Sequence, residues 1–318
     1  MGCPVPFGLP APRNLATRHT PTVDYHFMPE LPEVETIARG LAHRVTGDVI
    51  ESVWLGSKPE PLKSPASRIV ATLESKRIAG VRRMGKHIVF DLENGGSASP
   101  AARGKVPEKT SKARAGTPAP TSNQWIVHLG MTGRMLVSKP DDLVEKHTHA
   151  IVKLASGREL RFVDPRRFGR LSVAKGFEAG GAEPLEVEPD RFAGLFRGRK
   201  TPIKSALLNQ NLLRGVGNIY ADEALFRAGI RPRRRAASLT REHLRRLHLA
   251  VQEVLKEAIA LGGSSVSDYV DADGDEGFFQ LQHRVYGREA EPCLVCKTPI
   301  KRVVIAGRSS HYCPKCQK

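Results

Sequence analysis

The sequence predicts an α+β multidomain protein: an N-terminal antiparallel β-sandwich entered by one short helix, then a helical domain, then a small metal-binding module. Three observations carry this. Short runs rich in β-branched residues, broken by Gly, Asn and Pro, fill residues 49–163. Beyond a Gly/Pro/Glu-rich linker near residues 180–189 the apolar spacing becomes helical. Finally, Cys293, Cys296, Cys313 and Cys316 form two C-x2-C pairs within the last 26 residues.

A chain of 318 residues suits about two domains, each able to bury an ordinary core. Residues 1–27 hold five prolines and no apolar period. They lack the basic-then-apolar layout of a signal peptide, so they read as a disordered or untranslated extension. A helix is expected from Pro32, because proline fits a first turn. Val34, Ile37, Ala38 and Leu41 then fall at i, i+3, i+4 and i+7.

Strands are expected over 49–55, 87–92, 125–129, 150–154 and 159–163. Residues 94–124 lie between two of them and are dominated by Gly, Ser, Ala, Pro and Lys. They read as a disordered insertion, a solvated basic loop rather than an accessory binding arm. Further on, helices over 203–208 and 219–228 flank Gly215-Val216-Gly217-Asn218, which alone reads as a tight turn between helices. Leu244, Leu247, Val251, Val254, Leu255 and Ala258 mark an amphipathic helix that Gly262 and Gly263 stop. The expected divisions are 28–180 for the sandwich, 190–265 for the helical domain, 266–290 for a connector and 291–318 for the metal module.

Charge narrows the function. Fifty Lys+Arg against 33 Asp+Glu give a net +17, and residues 190–260 alone carry 15 basic against 6 acidic side chains. Such an excess points to a polyanionic partner, because each phosphate neutralised releases condensed counterions. No stretch approaches ~20 uninterrupted apolar residues, so no membrane span is expected. The two cysteine pairs are 16 residues apart. That is room for a β-hairpin (300–305, then 309–312) to bring both knuckles to one structural Zn2+. So small a module has little core, so the metal would supply its folding energy. Cys3 stands alone.

The segment Met28-Pro29-Glu30-Leu31-Pro32-Glu33-Val34-Glu35-Thr36 resembles the N-terminus of the formamidopyrimidine-DNA glycosylases. The likeness continues through Arg82-Arg83-Met84-Gly85-Lys86, His128-Leu129-Gly130-Met131-Thr132-Gly133 and Asp164-Pro165-Arg166-Arg167-Phe168-Gly169. It runs on through Gly215-Val216-Gly217-Asn218-Ile219-Tyr220 to the cysteine pairs, and so spans nearly all of residues 28–318. The resemblance implies a bifunctional DNA glycosylase and AP lyase of base excision repair, with its catalytic helix at the N-terminus. In such an enzyme Pro29 is the nucleophile. As an N-terminal secondary amine with a pKa near 8 it is partly neutral at physiological pH. Glu30 would protonate the opening sugar, and Lys86 would act near the leaving base.

The resemblance also makes the Gly215–Asn218 turn the centre of a helix-two-turn-helix and the cysteine module a zinc finger. Asn218, Lys204 and His149 match phosphate contacts, and Arg308 is the finger arginine that grips phosphates beside the lesion. A base must leave the stack before it can be processed. Met131 and Phe168 match the wedge that parts the stack, and Arg166 the side chain that pairs with the orphaned base. Residues 262–269 and the loop through Phe279 resemble the lesion-capping loop of the purine-specific branch, although Ser267 stands where many relatives carry Lys or Arg.

The implied partner is double-stranded DNA containing oxidised purines or abasic sites, bound by a monomer in the cytoplasm that associates with the nucleoid through that DNA. Two alternatives remain: an oxidised-pyrimidine glycosylase of the endonuclease VIII type, and a non-catalytic damaged-DNA-binding protein. The second follows if Pro29 stays inside a peptide bond.

Overall fold

The structure, a computed structural model, describes residues 28–95, 123–264 and 277–318. Helix α1 (Leu31–Val45) begins where proline in its first turn predicts. Its start is closed by the Glu30 amide, which donates to the Glu33 carboxylate at 2.9 Å. Val34, Ile37, Ala38 and Leu41 form its buried face, as their spacing requires.

Eight strands follow: β1 (Ile50–Leu55), β2 (Lys76–Met84), β3 (His87–Asn94), β4 (Asn123–His128), β5 (Arg134–Ser138), β6 (Thr148–Leu154), β7 (Glu159–Val163) and β8 (Arg170–Lys175), with helix α2 (Ala66–Leu73) between β1 and β2. They form two four-stranded antiparallel sheets, ordered β1-β6-β7-β5 and β2-β3-β4-β8. Phe90, Trp125, Val152, Phe162 and Leu41 are essentially inaccessible in the core that both sheets share with α1. Phe90 and Trp125 are cross-strand partners with ring centroids 4.7 Å apart. The expected insertion joins two neighbouring strands, since Leu92 of β3 pairs with Asn123 of β4. The expectation that it is disordered falls on residues 96–122, outside the described residues.

The second half is helical: α3 (Pro189–Phe196), α4 (Ile203–Leu207), α5 (Asn218–Arg227) and α6 (Arg241–Ala260). Leu247, Val251, Val254 and Leu255 are the buried stripe of α6. Thr240 caps that helix by accepting from the His243 amide at 3.3 Å. Strands β9 (Lys301–Ile305) and β10 (Arg308–Tyr312) then form the predicted hairpin between the cysteine pairs.

Candidate functional site

A cavity of about 510 Å³ opens between the sandwich and the helical half, with Met28, Glu30, Lys86, Arg214, Asn218 and Arg308 among its lining residues. Pro29, itself buried, lies in the chain between two of them. Lys86 reaches the cavity from the two-residue turn joining β2 to β3, where Met84 pairs with His87. Gly85 takes φ +61 there, the positive φ that a tight hairpin turn asks of its first residue. Arg83, just before the turn, fixes its direction. Its guanidinium binds Glu35 of α1 at 2.7 Å and Glu183 of the linker at 2.9 Å, with only 7% of the side chain exposed.

Glu30 is placed by a close approach. Its carboxylate accepts from the amides of Ile219 at 3.1 Å and Tyr220 at 3.5 Å, at the start of α5. A Cβ on Gly217 would stand 2.1 Å from the Glu30 carboxyl carbon, so only glycine fits. The Gly215–Asn218 turn thus delivers the first amides of α5 to Glu30. Burial raises the Glu30 pKa, opposed by the charge of Lys86 and by the α5 amides. Burial lowers the Lys86 pKa, opposed by Glu30 and Glu33 and reinforced by Arg308.

Glu33, given no role by the sequence, is also part of the site. It is fully buried and accepts from the Glu30 amide, the Ser264 amide at 2.8 Å and the Tyr220 hydroxyl. Burial and the neighbouring Glu30 push its pKa up to about 7. Its signal in the sequence was position alone, three residues after Glu30 and so one helical turn away.

At the C-terminus the four cysteine sulfurs lie within 4.8 Å of one another. A tetrahedral zinc with bonds of ~2.3 Å needs sulfurs about 3.8 Å apart. Cys293 and Cys316 stand 3.9 Å apart, and Cys296 and Cys313 3.4 Å. The four residues fit one zinc ion, which would bind β9 and β10 to the rest of the module and so hold Arg308 at the cavity.

Three family models together cover most of the chain: the formamidopyrimidine-DNA glycosylase N-terminal domain over residues 28–171, the H2TH domain of the same enzymes over 181–270, and a zinc finger found in FPG and IleRS over 290–318. The chain belongs to the formamidopyrimidine-DNA glycosylase family. A family relative from Solibacter usitatus is 44% identical over 301 residues, covering 92% of this chain and all of the relative. One from Thermus thermophilus is 43% identical, covering 91% of this chain and 98% of the relative. The solved MutM (Fpg) protein of Thermus thermophilus superposes with a TM-score of 0.74 at 40% identity, covering 91% of this chain and 98% of that one. A variant of the Lactococcus lactis glycosylase, solved with DNA containing Fapy-dG, gives 0.77 at 31% identity, covering 91% and 100%.

With the formamidopyrimidine-DNA glycosylase family established, the remaining expected residues can be placed. Phe168 and Arg166 are exposed together, with the guanidinium 5.1 Å over the ring, and Met131 is half-buried. Asn218 lines the cavity, and its side-chain oxygen is buried with no hydrogen-bond partner among the described residues. Two expected phosphate contacts are corrected. His149 is buried, with Nε2 2.9 Å from the Asp164 carbonyl, so its ring is spent inside the sandwich; His147, just before β6, is the exposed one. Lys204 is fully buried, its ammonium held by Asp222 at 2.7 Å and by the Ser309 carbonyl at 2.6 Å. It ties α4 to the zinc hairpin. Ser267 and most of the capping loop lie outside the described residues. Among the described residues no helix is long and apolar enough to cross a membrane.

Proposed function

We propose that the protein is a bifunctional glycosylase and AP lyase of base excision repair that removes oxidised purines from duplex DNA through an iminium on Pro29. The observation that supports this most is the buried Glu30 carboxyl, next in the chain to Pro29 and sharing one cavity with Lys86 and Arg308.

The neutral amine of Pro29 attacks C1′, and the bond from C1′ to the damaged base breaks. The sugar ring then opens as the nitrogen lone pair completes the iminium, and O4′ takes a proton from Glu30. A carboxyl whose pKa is raised by burial keeps that proton to higher pH than an exposed one would. Lys86, its pKa lowered, is suited to pass a proton to the departing base. The iminium acidifies C2′–H; loss of that proton expels the 3′ phosphate, a second elimination expels the 5′ phosphate, and water releases Pro29. Arg308 and Asn218 hold the phosphates while this happens.

In Met28-Pro29 the proline nitrogen is a tertiary amide whose lone pair is in resonance. The reading therefore requires that the active chain start at Pro29, through initiation at Met28 and methionine removal or through proteolysis. The family model beginning at residue 28 supports this. Borohydride should trap a covalent complex with DNA carrying 8-oxoguanine opposite cytosine, in preference to DNA carrying thymine glycol. Peptide mapping should find the adduct on Pro29; an adduct on Lys86, or trapping by a chain that retains residues 1–28, overturns the mechanism.

A further inference from the structure

Residues 197–202 and 231–237 run side by side in the helical half. The Ile203 amide donates to the Arg234 carbonyl at 2.7 Å, the Ala236 amide to Thr201 at 3.0 Å and the Ala237 amide to Arg199 at 2.8 Å. Together these segments carry Arg197, Arg199, Lys200, Arg231, Arg233, Arg234 and Arg235, and no carboxylate. All but Arg234 are exposed. Among the described residues none of the seven is in an ion pair, and acids at the starts of α3 and α6 are engaged elsewhere, Asp190 with Arg241 and Glu242 with Arg245. Like charges gathered so tightly repel one another and work against the compact state unless a polyanion answers them.

The patch is also well placed. Helix α4, five residues and about 7.5 Å long, runs from it to Leu208 on the cavity wall. On its other flank the Arg233 guanidinium donates to the Val304 carbonyl at 3.4 Å, one register pair from Arg308. It thus begins about one Debye length (~10 Å) from the cavity, where duplex DNA presents a charge every ~1.7 Å of its axis.

We propose that this patch is a second DNA-binding surface, outside the cavity, that grips backbone phosphates of the duplex flanking the lesion. It rests on the reading that the substrate is duplex DNA, but not on the chemistry at Pro29. Arg197, Lys200 and Arg235 make no side-chain bond with a described residue, so replacing them leaves the fold's own contacts in place.

The test is the triple variant Arg197→Gln, Lys200→Gln, Arg235→Gln, with unchanged melting temperature and zinc content as controls. On an undamaged 24-base-pair duplex the slope of log K against log salt should fall by about 2.7, at ~0.9 for each of the three phosphate contacts removed. Single-turnover excision at saturating enzyme should stay within about twofold, because phosphate contacts position the duplex without touching the base. Neutral methylphosphonates at flanking positions should weaken the wild type several-fold and the variant hardly at all.

An unchanged slope makes the patch a solvated face and overturns the proposal. So does a hundredfold loss of excision, or coupling confined to phosphates at the lesion, since either places these side chains in the cavity. If the wild type excises nothing yet the slope still falls, the catalytic reading fails and this surface stands.

Discussion

Two lysines lie near buried carboxylates, half-buried Lys86 near Glu30 in the cavity and fully buried Lys204 on Asp222 beneath the zinc hairpin, and their surroundings differ. Asp222 and Lys204 are both fully inaccessible and 2.7 Å apart. Each has a further partner within the fold, the Ser309 carbonyl for Lys204 and the His311 amide for Asp222. Glu30 is also buried, but its lysine faces an open cavity and a second cation, Arg308, that pushes against the charge. A matched pair locks its protons in place; an incompletely matched one leaves them able to move. The second arrangement suits the proton transfers proposed above for Glu30 and Lys86.

That contrast can be broken experimentally. Glu30→Gln keeps an acceptor for the α5 amides but removes the acid, so single-turnover excision should fall about 10²–10⁴-fold with the melting temperature little changed. Wild-type excision by this variant would remove Glu30 from the chemistry. Lys204→Met should do the reverse, costing roughly 3–5 kcal/mol in denaturant unfolding because Asp222 is left buried and unpaired. A stable Lys204→Met protein with lost excision would mean that Lys204 acts at the DNA after all.

A pH profile sharpens the comparison further. Burial, with a smaller contribution from His311, depresses the His283 pKa from 6.5 to about 4. The unfolded chain therefore binds this proton first as pH falls. Its contribution to stability is present above pH 6.5 and is lost on descending towards 4. His283→Phe, which keeps a ring against Phe279 and Tyr286, should flatten that acid limb by roughly 1–3 kcal/mol in pH-dependent unfolding. Glu33 works oppositely. Its pKa is raised to about 7, so its share is present below 4.5 and lost as pH rises through 7. The smallest effect is expected from deleting residues 97–120, which should leave excision within about twofold at moderate salt, because a loop of that composition contributes no core. A tenfold loss would make it a DNA-binding arm.

The legible parts of the fold were those whose own residues declare them. β3, β4, β6 and β7 are apolar runs buried at the centre of their sheets. β5 and β8, unmarked in the sequence, are edge strands with weaker apolar patterns. β2 was hidden by its charges, which are answered only across the fold: Arg82 by Asp91 of β3, Arg83 by Glu35 and Glu183. The same limit applies to the site. Motifs located Glu30, Lys86 and Arg308 in one place, but they could not say that Lys204 and His149 are buried or that Glu33 joins three segments. Burial depends on what packs above a residue, and that comes from elsewhere in the chain.

The Glu30 carboxylate accepts from amides 189 and 190 residues further along, which sets an order on synthesis. At roughly 5–20 residues per second, a ribosome needs about 10–40 s to travel from residue 30 to residue 220. Until α5 has been made and docked, the acid has no helix start to hold it and the cavity has only one wall. A nascent or truncated chain that ends before α5 lacks the amides that position Glu30, and both walls of the cavity exist only in a protein translated past its helical half.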